Sequence, residues 1–102
     1  MKQTIRISKD ISDLVPNYVS QRIKDTQIFL DILESDEMEK IRIMAHNLKG
    51  SGSAYGFEVL TDLGAKIEQA AIAKNQEMIV ECVKEMQEYL ENIDIVYVWK
   101  YS

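Results

Sequence analysis

The sequence predicts an all-α protein, an antiparallel up-down-up-down four-helix bundle with a short N-terminal lead-in segment. Helix-forming residues dominate the 102-residue chain, and apolar residues recur at intervals of three and four. Backbone breakers are scarce, since the chain has one proline and three of its four glycines fall between Gly50 and Gly56. Because the connections between the predicted helices are short, we expect neighbouring helices to run antiparallel.

One domain is expected over residues 1–102, with a core at about 10–98. The first ten residues are either a short extended arm or a frayed lead-in. The apolar positions of the first helix are Val15, Val19, Ile23, Thr26, Leu30 and Leu33, with Phe29 beside them. The third helix begins at Phe57 or Glu58, and its inward positions are Leu60, Leu63, Gly64, Ile67, Ala70 and Ala71. After a break near Asn75, the apolar positions of the fourth helix are Ile79, Val83, Met86, Leu90, Ile93 and Tyr97.

The second helix opens near Asp36 and divides into two faces by helical spacing. Its apolar face consists of Met38, Ile41, Ala45, Leu48 and Gly52. Its polar face consists of Glu39, Arg42, His46, Lys49 and Ser53. The histidine is therefore expected to point away from the core.

Composition excludes several classes of function. The net charge of −5 disfavours nucleic acid as the main partner, because phosphate backbones require clustered Lys and Arg. With Cys82 as the only cysteine, no internal disulfide forms, and a reducing compartment is favoured. No apolar run reaches the roughly 18 residues of a membrane span, and the N-terminus lacks the apolar core of a signal peptide. We therefore expect a cytoplasmic protein, by default a monomer.

The glycine cluster does not fit a nucleotide-binding loop. Gly50, Gly52 and Gly56 miss the G-x-G-x-x-G spacing by one residue, and they follow a helix instead of a strand. A metal site is also not predicted, since the one histidine and the one cysteine lie on different helices.

His46 is the candidate functional residue. A lone histidine is often structural or incidental, but this one lies opposite the apolar face and need not fill the core. An exposed imidazole is largely neutral at physiological pH, and its unprotonated nitrogen is a nucleophile. Lys49 follows one turn later on the same side and can neutralise an incoming phosphoryl group; alternatively, it is a solvated surface lysine.

The glycines after His46 have both functional and structural interpretations. Gly50 lies on the exposed face, where the absence of a side chain lets another protein approach the ring; alternatively, it frays the helix end. Gly52, on the inward face, fits close helix packing, and Gly56 fits a left-handed turn.

The segment His46-x-x-Lys49-Gly50, followed by Gly56 and an apolar third helix, resembles the signature of histidine-containing phosphotransfer (HPt) domains of two-component phosphorelays. The resemblance covers about residues 10–98 and includes the helical layout. It implies that His46 accepts a phosphoryl group from the phosphoaspartate of a receiver domain and passes it to another receiver. The chain would then be a carrier without an ATP site, and Mg²⁺ would be supplied by the receiver.

The resemblance also implies roles for neighbouring residues. Lys49 would supply positive charge, and Glu68 on the third helix would bond the second ring nitrogen of His46; alternatively, Glu68 is a surface glutamate. A receiver would dock on a face framed by Arg42, Gly50 and Ser53.

Two other functions stay open. His46 is alternatively the phosphoacceptor of a chemotaxis-type histidine kinase, whose dimerisation and ATP domains this chain lacks. In the other alternative, the chain is a non-catalytic helical adaptor and His46 is a bystander.

Overall fold

The structure is a computed structural model, described here for residues 2–99. The predicted domain extends to residues 1 and 100–102, which lie outside the described residues. Between residues 2 and 99, the helices are α1 (Val15–Glu34), α2 (Met38–Gly52), α3 (Glu58–Ile72) and α4 (Gln76–Glu91). The strands are β1 (Gln3–Ser8) and β2 (Ile93–Val98). Four helices are thus confirmed, while their up-down-up-down order stays a prediction.

The prediction of an all-α fold is wrong at the two ends of the described range. β1 and β2 form a parallel two-stranded sheet, in which Gln3 lies opposite Ile93 and Ser8 lies opposite Val98. The fourth helix was predicted to continue through Tyr97, whereas α4 ends at Glu91. β2 is rich in β-branched residues, which favour extended structure. Its pairing partner is β1, which lies near the other end of the chain. The spacing of apolar residues along the fourth helix carries no information about that strand.

The hydrophobic core is built from all four helices and from β1. The predicted inward faces of α2 and α3 are confirmed, since Ile41, Ala45 and Leu48 are at most 3% exposed and every inward position of α3 is buried. The face predicted for α1 needs one correction, because Ile23 is 50% exposed and Tyr18 takes a place in the core. A tyrosine fits there because its hydroxyl bonds Ser51 Oγ at 2.8 Å.

The connection between α2 and α3 is compact and held by aromatic packing. The Tyr18 ring stacks on Tyr55, with ring centroids 4.1 Å apart, and on Phe57 at 5.8 Å. Gly56 closes the turn with φ of +94°, a left-handed conformation that favours glycine. A Cβ added at Gly52 would lie 2.6 Å from the backbone nitrogen of Thr61, so a side chain there would separate the two helices. Gly52 and Gly56 therefore shape the connection that follows the His46 helix.

Residues 2–99 contain neither a membrane-spanning helix nor a cluster of potential metal ligands. No helix in this range combines the length and the apolarity needed to cross a lipid bilayer. The same range contains no group of three or more His, Cys, Asp or Glu side chains placed to hold a metal ion. Cys82 is buried, and its burial raises the pKa of the thiol, which disfavours the reactive thiolate.

Candidate functional site

His46 lies on the solvent-exposed side of α2. Its side chain is 61% exposed, whereas its helix neighbours Ala45 and Leu48 are 0% and 3% exposed. The helical spacing thus predicted the direction of the ring correctly. The apolar residues of α2 recur every three or four positions and therefore lie on one side of the helix. His46 lies on the opposite side, which faces solvent.

The side chain of Glu68 on α3 contacts two side chains of α2, those of His46 and Lys49. One carboxylate oxygen, Oε2, lies 2.7 Å from His46 Nδ1, and the other, Oε1, accepts a hydrogen bond from Lys49 Nζ at 2.6 Å. Glu68 is only 6% exposed, so it is not the surface glutamate of the alternative interpretation. Buried carboxylates are found where a partner compensates for lost hydration, and here there are two.

The Glu68 carboxylate is ionised at neutral pH. The hydrogen bond from Lys49, followed by that from His46, lowers the pKa of Glu68 below its ordinary value. An ionised carboxylate only accepts hydrogen bonds, so His46 Nδ1 must carry the proton in this contact. In the neutral ring, Nε2 then holds a free lone pair. No hydrogen bond joins Nε2 to any residue between 2 and 99.

The lowered pKa of Glu68 predicts how stability depends on pH. Since the folded-state pKa lies below the unfolded value, the carboxylate stabilises the fold above its ordinary pKa of 4.5, and this contribution is lost as the pH falls through the folded value. The groups of α2 that face it are Lys49, His46 and, more distantly, Arg42. Glu68→Gln should therefore be less stable than wild type at neutral pH and equally stable in strong acid. Urea unfolding of both proteins across this range measures the difference, and a gap independent of pH would contradict the prediction.

The residues predicted to frame a docking face are distributed around His46. Arg42, one turn before it, is paired with Glu39 on the same helix, with Nε donating to Oε2 at 2.9 Å. Gly50, one turn after it, is exposed, and a Cβ added there would meet nothing within 4 Å. Ser53 is also exposed, and its backbone amide donates to Thr61 Oγ1. Gly50 and Ser53 are exposed as a docking face requires, but the roles of all three residues in binding stay predictions.

Sequence reasoning missed one exposed apolar residue beside the ring. Ile43 lies three positions before His46, hence on the same side of α2, and is 48% exposed. The signal was an isoleucine among polar residues on the outward face. A single exposed apolar residue is common on protein surfaces, so a role of Ile43 in partner binding stays a prediction.

A model of the Hpt domain family matches residues 13–95, which is most of the chain. The chain belongs to this family. An Hpt domain implies histidine phosphotransfer in phosphorelays, where such domains interact with receiver domains and act as phosphocarriers rather than catalysts. Comparison of this Hpt domain with curated proteins and with solved structures found no match.

Proposed function

We propose that this Hpt domain accepts a phosphoryl group on Nε2 of His46 from the phosphoaspartate of a receiver domain and passes it to another receiver. The observation that carries the proposal is that the His46 ring is exposed to solvent while its Nδ1 atom is held by Glu68. His46 is the only histidine of the sequence, its side chain is exposed, and Glu68 holds its Nδ1. A phosphohistidine carrier of this sequence therefore has one candidate acceptor.

The site geometry supports the following transfer step. The Nε2 lone pair attacks the phosphorus in line, the N–P bond forms, and the P–O bond to the aspartate breaks to leave a carboxylate. The ring becomes positively charged, and the anionic Glu68 stabilises it through the Nδ1 proton. Lys49 lies beside the ring and balances the charge of the phosphoryl oxygens. Mg²⁺, supplied by the receiver domain, would neutralise the remaining charge in the complex.

The docking face surrounds the ring. Gly50 has no side chain on one side of the ring, while Ile43, three positions before His46, is a large apolar residue that is 48% exposed. Arg42 and Ser53 add polar contacts at the rim. Transient complexes combine such a small apolar centre with a polar edge.

A transfer assay separates this proposal from its alternatives. Purified protein is incubated with a phosphorylated receiver domain, and acid-labile, alkali-stable label is measured on the chain. We expect label within the incubation and its loss when a second, unphosphorylated receiver is added. An adaptor would stay unlabelled, and a kinase substrate domain would be labelled only by a histidine kinase with ATP.

Lys49→Ala is expected to slow phosphoryl transfer about tenfold or more, because one positive charge next to the transferring group is lost. The lysine side chain is 38% exposed, so the fold should persist. Single-turnover transfer rates measure the effect, with circular dichroism as the check on folding. Lys66→Ala, an exposed lysine on α3, is the matched control. Equal rates for Lys49→Ala and wild type would remove Lys49 from the mechanism.

Gly50→Leu is expected to weaken receiver binding about tenfold while raising stability slightly. Glycine in a helix costs about 0.5–1 kcal/mol relative to alanine, and this site has open space for a side chain. The leucine would instead occupy the space that a receiver needs above the ring. Titration calorimetry measures affinity, and Gly50→Ala is the control with the same helix effect but little bulk. Undiminished affinity in Gly50→Leu would exclude this docking role.

We further propose that the protein works as a monomer in the cytoplasm. The acidic net charge of −5 and the single, buried Cys82 support this setting, since nothing in the described chain depends on disulfides. Sedimentation analysis tests the monomer, and fractionation of cells tests the compartment.

A further inference from the structure

Gly64 brings α3 into direct contact with the backbone of α2. A Cβ added at Gly64 would lie 2.5 Å from the nitrogen of Lys49, 2.9 Å from its Cα and 2.9 Å from the oxygen of Ala45. These are backbone atoms of a helix, which cannot move aside as the end of a flexible side chain can. Any side chain at position 64 therefore pushes the two helices apart.

This contact lies beside the His46 site. Ala45 and Lys49 flank His46 in α2, and Glu68 follows Gly64 by four residues, hence on the same side of α3. Both hydrogen bonds of Glu68, to His46 Nδ1 at 2.7 Å and to Lys49 Nζ at 2.6 Å, span the gap between the helices. A wider gap would lengthen both bonds.

Thr61 ties the same pair of helices one turn earlier in α3. Its Oγ1 accepts a hydrogen bond from the Ser53 amide at 2.7 Å and donates one to the Lys49 carbonyl at 3.1 Å. In a regular α-helix the amide of residue 53 donates directly to the carbonyl of residue 49. The hydroxyl of Thr61 lies between the Ser53 amide and the Lys49 carbonyl and so connects the backbone of α2 to α3.

We propose that Gly64 and Thr61 are positioning residues for His46. They set the separation of α2 and α3 at which Glu68 holds the Nδ1 proton of the ring and leaves Nε2 unprotonated. The kinetic consequence of this inference rests on the proposed function, whereas the consequence for the ring tautomer does not.

Gly64→Ala tests the inference against Gly50→Ala, the same substitution in a helix where it meets no atom within 4 Å. Nitrogen-15 NMR of the neutral His46 ring reports which nitrogen is protonated. We expect wild type and Gly50→Ala to hold the proton on Nδ1, and Gly64→Ala to lose this preference. Phosphoryl acceptance in Gly64→Ala should be slower by about tenfold or more, since small displacements of a reacting group reduce rates strongly. A folded Gly64→Ala protein with the wild-type tautomer would overturn the inference.

A second pair of variants decides the matter if Gly64→Ala does not fold. Thr61→Val keeps the shape of the side chain but removes the hydroxyl, and Thr61→Ser restores it. We expect the Nδ1 preference to weaken in Thr61→Val and to return in Thr61→Ser. The same tautomer in both variants and in wild type would contradict positioning by Thr61. If wild type accepts no phosphoryl group, the proposed function fails, yet the tautomer comparison still tests these two residues.

Discussion

Replacing His46 with glutamine is expected to abolish phosphoryl acceptance from a phosphorylated receiver and to leave the fold intact. The amide nitrogen of glutamine has no available lone pair, and the sequence contains no other histidine. Because the ring is 61% exposed, its loss removes little packing. We expect the free energy of unfolding to change little, because the glutamine amide can donate a hydrogen bond to Glu68 in place of the ring.

The matched control for this variant is Asn47→Gln, which places the same new side chain at the adjacent exposed position of α2. It should accept label at the wild-type rate. Label is measured after acid and alkali treatment, since phosphohistidine is lost in acid and kept in alkali. Acid-labile label on His46→Gln would show that another residue is the acceptor and would refute the proposed mechanism.

Leu48→Ala is expected to have the largest effect on stability, a loss of about 2–5 kcal/mol. Leu48 is 3% exposed and belongs to the apolar face of α2 that packs into the core. Removing its branched end leaves a cavity as well as losing the burial of apolar surface. The site residues His46 and Lys49 lie on the other side of the same helix, so the folded fraction should still accept a phosphoryl group.

The matched control is Ile43→Ala in the same helix, where the side chain is 48% exposed. Its free energy of unfolding should change by less than about 1 kcal/mol, as is usual at exposed positions. Receiver affinity should decrease in Ile43→Ala, since this residue lies on the His46 side of α2. Denaturant unfolding of both variants measures stability, and equal losses would mean that α2 faces the core differently.

The glycines illustrate how far sequence interpretation reaches. The sequence predicted close helix packing at Gly52 and a left-handed turn at Gly56, left docking and fraying open at Gly50, and placed Gly64 only among the inward positions of α3. Gly56 needs a positive φ, and Gly52 and Gly64 need close approach to backbone atoms of the neighbouring helix. Gly50 meets neither condition, because an added Cβ there has open space. Because the fold does not require glycine at position 50, we interpret the missing side chain as space for a binding partner.

The sequence by itself determined the existence of the four helices, the inward faces of α2 and α3, and the outward direction of His46. These properties follow from residues three and four positions apart, so helical periodicity is enough to reveal them. The family resemblance was carried by the motif residues themselves, His46, Lys49 and Gly50, which lie close together in the sequence.

Only the tertiary structure decided the features that join distant parts of the chain. The pairing of β1 with β2 replaced the predicted end of the fourth helix, because backbone hydrogen bonds to a remote strand outweighed a compatible local spacing. The two hydrogen bonds of Glu68 to α2, and the close backbone contact at Gly64, depend on the separation of the two helices. Such a separation is set by packing, and periodicity within one helix carries no information about it.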